Sequence, residues 1–239
     1  MTRRRKKRSS DPARRGRGAS DALPMRHGGR RSGAVHPEQQ RTIIAQQAAR
    51  IVVEQGIADY GLAKRKAAER IGVSSASLLP TNAQIELAVV EHQRLFGGMA
   101  HSHRLRELRR GACEAMRFFE TFSPRLVGPV LSGAVTEHSV VTLHLYADAP
   151  EAVARQLVQH AIPYREGDRR LRYAAERIVT HPVFSFSAEG VDYELVVMPT
   201  DSIRQPPISP VDGGAVRRAS LRQVEALCAA AEEELPGGD

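Results

Sequence analysis

Apolar residues along this 239-residue chain recur first at helical and then at strand spacing. In EQQRTIIAQQAARIVVEQG, Ile43, Ile44, Ala48, Ile51 and Val52 share one face of a predicted helix that Gly56 stops. YGLAKRKAAERIG predicts a second helix, with Ala63, Ala67, Ala68 and Ile71 inward and Gly72 at a left-handed cap. TNAQIELAVVEHQRLFGG predicts a third, opened by a Thr or Asn cap and closed by Gly97, with Ile85, Ala88, Val89, His92 and Phe96 aligned. In HRLRELRRGACEAMRFFETF, Leu105, Leu108, Ala112, Ala115, Met116 and Phe119 form the inner side of a fourth.

The period then changes. RLVGPVLS and VVTLHLYA are short, branched and bounded by turn formers, which predicts two strands joined by a loop over Gly133 to Ser139. PEAVARQLVQHA, with Pro150 in its first turn, predicts a helix covering the sheet. ERIVTHPVFSFS and VDYELVVMP predict a hairpin about AEG, and Pro182 suggests that its first strand is an edge. After the Pro-rich connector RQPPISPVDGG, the segment AVRRASLRQVEALCAAAEEEL predicts a last helix. The expected class is α+β: a helical domain over residues 37–122, then a small mixed-sheet domain over residues 123–239.

Charge changes this picture at the amino terminus. Residues 1–36 hold 12 basic and 2 acidic side chains, whereas the rest of the chain carries a net charge of −2. The Arg/Gly/Ser-rich segment lacks apolar periodicity, so it is expected to be a disordered basic tail. Arg3, Arg4, Arg5, Lys6, Lys7 and Arg8 would condense onto nucleic acid or another polyanion by releasing counterions, with little sequence choice. No apolar run is long enough for a membrane span and no secretory pattern is visible, which predicts a cytoplasmic protein without a membrane partner. Cys113 and Cys228 lie far apart in sequence without a CxxC neighbour and read as buried or idle thiols.

Leu131, Ser132 and Gly133, the polar loop residues Thr136, Glu137 and His138, and then Ser139, Val140, Val141, Thr142 and Leu143 carry a family likeness. With the strand order around them, residues 128–199 resemble the nucleotidyltransferase (polymerase-beta-like) superfamily. The resemblance implies a strand ending in Gly-Ser, a second strand opening Ser-Asp-hydrophobic-Asp, a third acid on a neighbouring strand, and Mg²⁺ held by these carboxylates. Here Val140 and Thr142 stand at the paired acids, and Ser-Gly reverses the usual Gly-Ser. In-line phosphoryl displacement with two metal ions needs carboxylates two residues apart on one strand face.

A degenerate member is therefore expected, acting as a nucleotide- or nucleic-acid-binding regulatory protein. Ser132, Gly133, Ser139 and Thr142 would line the nucleotide, and no metal is expected. The alternative is an active Mg²⁺-dependent nucleotidyltransferase, in which Asp192, Glu194 and a further acid would carry the metal.

A second alternative rests on the helical half. Ala67, Ala68, Ile71, Gly72, Val73 and Ser74 resemble the helix-turn-helix of TetR-type repressors, with Ser75 to Leu79 as recognition helix and Lys64, Arg65 and Lys66 on phosphates. That helix would offer no Arg, Lys, Asn or Gln before Pro80, and a TetR ligand-binding half would be all helical. The chain from about Gln39 is also similar to a bacterial family with a YGxAKRKAA segment, whose members carry nucleotidyltransferase or muramate-alanine ligase labels. No GxxxxGK[ST] phosphate loop supports the ligase label. His101 and His103 splay apart on a helix, and Ser132, His144 and Asp148 lack the GxSxG elbow of a hydrolase.

Overall fold

The computed structural model describes residues 36–233; the segment carrying Arg3 to Arg8 lies outside them. The described residues form an α+β fold with helices first and sheet after. The helical part comprises α1 (Pro37–Gln55), α2 (Tyr60–Ile71), α3 (Asn82–Phe96) and α4 (Gly98–Phe118). Local chemistry sets their ends. Gly56 and Gly72 take left-handed caps, Asp59 accepts from the Gly61 and Leu62 amides, and Thr81 and Gln84 form a capping box.

The sheet part comprises β1 (Arg125–Val127), α5 (Pro129–Ser132), β2 (Val141–Tyr146), α6 (Pro150–Gln159), β3 (Arg165–Arg172), β4 (Ile178–Ala188), β5 (Val191–Met198) and α7 (Leu221–Glu233). Strand order is β1-β2-β5-β4-β3, and only the β2–β5 pair is parallel. One sheet face buries Leu143, Leu145, Phe184, Leu195 and Val197 against α4, α6 and α7, contributed by Leu108, Met116, Phe119, Val153, Leu157 and Val224. Ile44, Ile51, Ala63, Ile85 and Val89 make a separate core among α1, α2 and α3. Ala134 joins that helical core, and the Gln93 amide donates to the Val135 carbonyl, so the loop entering β2 is tied to the helices.

Several expectations are corrected. RLVGPVLS is not one strand: Gly128 turns at φ 76° after three strand residues, and Pro129 starts a helical turn. β3 was missing from the pattern because REGDRRLR is charged throughout, as suits the sheet's edge strand. Pro182 does not put β4 at the edge. It faces Asp168 of β3 in the stretch of β4 before the β5 ladder begins at Val183, where its missing N–H costs no bond to β5. α7 begins only at Leu221, because Ala219 bridges to Leu126 in extended form. Ile43 and Phe96, expected inward, are 46% and 74% exposed.

α4 approaches β5 closely at Gly111. A Cβ there would lie 2.5 Å from the Tyr193 hydroxyl oxygen and 3.8 Å from a Val191 methyl. Gly111→Val is expected to destabilise the fold by roughly 1–3 kcal/mol through overpacking. Urea unfolding measures this; an unchanged midpoint would show that the Tyr193 ring can retreat.

Candidate functional site

The second sheet face is built from alternate residues that the register aligns across four strands. Thr142 of β2 pairs with Glu194 of β5, Glu194 with Ser185 of β4, and Ser185 with Arg165 of β3. Side chains two apart on a strand share a face, so this polar rung continues into His144 and Tyr146 on β2 and into Arg169 on β3. Met198, Val196, Val183 and Tyr146 pack with Ile203 and close one end of the face. The other end opens as a cleft of about 680 Å³, lined by Val140, Arg165, Arg169, Ser185, Asp192 and Glu194. Tyr164, Phe186 and Tyr193 border it, but their rings turn to the helical face of the sheet, where the last two stack with centroids 4.9 Å apart.

Arg169 dominates the cleft's electrostatics. Its Nη2 donates to both Glu194 carboxylate oxygens, at 2.8 and 2.7 Å. At Gly167, two residues before Arg169 on the same face of β3, a Cβ would meet nothing within 4 Å. Among the described residues the Arg169 Nε and Nη1 make no hydrogen bond, leaving donors for a ligand. Asp192 accepts from the Ser187 hydroxyl.

Deeper on the same face, His144 is 3% exposed and its Nδ1 has no partner. Burial, then Arg218, Arg169 and His181, pull its pKa down to about 3, so the ring is neutral at physiological pH. Arg218 donates to the Tyr146 hydroxyl at 2.6 Å, and the Tyr173 hydroxyl pairs with His181 Nε2 at 2.8 Å.

The residues expected to form the site divide into two groups. Asp192 and Glu194 line the cleft, and Thr142 stands beside Glu194. Ser132, Gly133 and Ser139 are not in its lining. Ser132 donates to Glu86 of α3 at 3.0 Å, Gly133 caps α5 at φ 88°, and Ser139 accepts from the Thr136 amide at 2.7 Å. All three hold the turn leading into β2. The metal that the nucleotidyltransferase likeness implies does not fit these side chains. Val140 and Thr142 supply no carboxylate, Glu194 gives both oxygens to Arg169, and among the described residues no group of three or more His, Cys, Asp or Glu could hold an ion.

Arg165, Arg169 and Ser185 escaped the sequence pattern. The available signal was the β3 alternation of Arg165, Gly167 and Arg169, masked by equally charged residues between them.

In the helical part, the expected recognition helix Ser75 to Leu79 is a single 3₁₀ turn, Ala76–Leu78. Pro80, buried two residues later, keeps it from propagating. Lys64 Nζ donates to Asn82 at 3.0 Å and Lys66 Nζ to Gln55 at 3.2 Å, while Arg65 is exposed. No helix among the described residues is long and apolar enough to cross a membrane. No protein-family model, curated protein or solved structure matches this chain, and the cleft stands on its own chemistry.

Proposed function

We propose that the chain is a nucleotidyltransferase-like protein without transferase chemistry, and that its cleft binds a nucleotide through its phosphates. The carrying observation is the Arg169–Glu194 pair, which sets a fixed cation beside Thr142 where the related enzymes hold Mg²⁺ between acids. A guanidinium suits phosphate because its planar donors match two oxygens at once. Arg165 adds a second exposed cation and Ser185 a hydroxyl. The basic segment at residues 3–8 suits a nucleotide carried within a nucleic acid.

The expected result is that ATP or GTP raises the melting temperature in EDTA, with no added gain from Mg²⁺ and no turnover. Arg169→Gln should weaken that binding at least about tenfold, the scale of one charge-assisted hydrogen bond. Mg²⁺-dependent nucleotidyl transfer lost in Glu194→Ala would instead establish the enzyme. Absence of binding by any nucleoside triphosphate, with or without Mg²⁺, would remove the proposal.

A further inference from the structure

Cys113 of α4 and Cys228 of α7 are 115 residues apart in sequence, yet their sulfurs are 4.0 Å apart. Both are free thiols, Cys113 buried and Cys228 half-buried. They sit at the base of a groove of about 670 Å³ between the two helices, on the opposite side of the sheet from the nucleotide cleft. Arg106, Arg109, Arg110 and Arg117 line this groove against Glu107 and Glu225. Arg117 pairs with Glu225 at 2.7 Å, which holds α7 on α4 in the register that brings the sulfurs together.

We propose that Cys113 and Cys228 form a dithiol site that a hydroperoxide oxidises to an intrachain disulfide, locking α7 to α4. The two thiols are unequal. Burial, and then the neighbouring Cys228 sulfur, push the Cys113 pKa up to about 12, so Cys113 is not the sulfur that attacks the peroxide. Cys228 is the more accessible sulfur and interacts electrostatically with Arg109.

In the first step the Cys228 sulfur attacks the terminal peroxide oxygen. The O–O bond breaks, an S–O bond forms, and the thiol proton leaves with the alcohol or water released. Sulfur is oxidised by two electrons and the peroxide is reduced by two. In the second step the Cys113 sulfur attacks the Cys228 sulfenic acid. The S–S bond forms, the S–O bond breaks, and hydroxide departs with the Cys113 proton as water. The sulfurs need to close from 4.0 Å to about 2.05 Å, within reach of side-chain rotation and a small helix shift.

The test treats the full chain with hydrogen peroxide, alkylates it under denaturing conditions and measures intact mass. The expected product is a monomer lighter by two hydrogens with neither thiol alkylated, fully reversed by dithiothreitol. Cys113→Ser should stop at Cys228 sulfenic acid, trapped by dimedone. The proposal is overturned if wild-type chains keep two alkylatable thiols, if they link only between molecules, or if Cys228 passes to sulfinic acid while Cys113 remains free.

Discussion

Replacing His144 with leucine is expected to remove about 2 kcal/mol of the stability that the protein loses between pH 7 and pH 5. In the native state His144 is held down to about 3, by burial first and then by Arg218, Arg169 and His181. Arg125, opposite it on β1, adds a further positive group on that face, and Tyr146, two residues on, is occupied by Arg218. In the unfolded chain the ring titrates near 6.5. As pH falls below that value the unfolded chain binds a proton that the native state refuses. Stability is therefore complete above about 6.5 and drains away progressively as pH drops toward 3, by about 1.4 kcal/mol per pH unit.

Leucine has no proton to bind, so its acid limb should be flatter by that amount, while stability at pH 7 should change little. Nδ1 has no partner to lose, and a buried polar atom without a partner contributes nothing favourable. His181, also lowered by burial, stays in both proteins and supplies a common background slope. Urea titrations of both proteins at pH 7 and pH 5 give the difference directly; equal slopes would show that His144 charges freely in the folded state.

A neutral histidine fits the reading of the cleft. The face already holds Arg169 and Arg218, and each has an internal acceptor, Glu194 or the Tyr146 hydroxyl. Adding an imidazolium would leave uncompensated positive charge in a dry position, which explains why the ring gives up its proton instead. Under the proposed function an incoming phosphate would meet the Arg169 guanidinium already oriented by Glu194, so little ordering of that side chain would remain on binding.

What could be read from sequence followed local rules. Helices α1 to α3 were legible because Gly56, Gly72, Thr81 and Gly97 mark their ends, and β2 and β5 because their residues are branched and apolar. The alternation that sets Thr142 and Glu194 on one face of their strands was legible, and the two pair across β2 and β5. β3 was hidden because an edge strand needs no apolar face, and with it went Arg165 and Arg169, the cations that define the cleft. The meeting of Cys113 with Cys228 was illegible for a different reason. It depends on how α7 returns across α4 after the whole sheet has been laid down, and no spacing in the chain encodes that return.

Phe119 and Phe96 show the same limit in energetic form, and Phe119→Ala is expected to cost about 3–5 kcal/mol. Both phenylalanines lie at the end of a helix and fit its apolar stripe, so periodicity assigns both inward. Phe119 is fully buried, edge-on to Phe118 at 4.7 Å, with Phe122 and Phe186 each at 6.4 Å. It joins the end of α4 to the helical face of the sheet, where truncation leaves a cavity that Leu143 and Leu195 on flat strands cannot fill. Phe96 is 74% exposed and touches His92 alone among the aromatic rings, so Phe96→Ala should stay within about 0.5 kcal/mol of the parent. Denaturant unfolding of the two variants side by side is the check. A small loss at Phe119 would mean that α4 is not seated on the sheet, and with it would go the close approach at Gly111 and the juxtaposition of the two thiols.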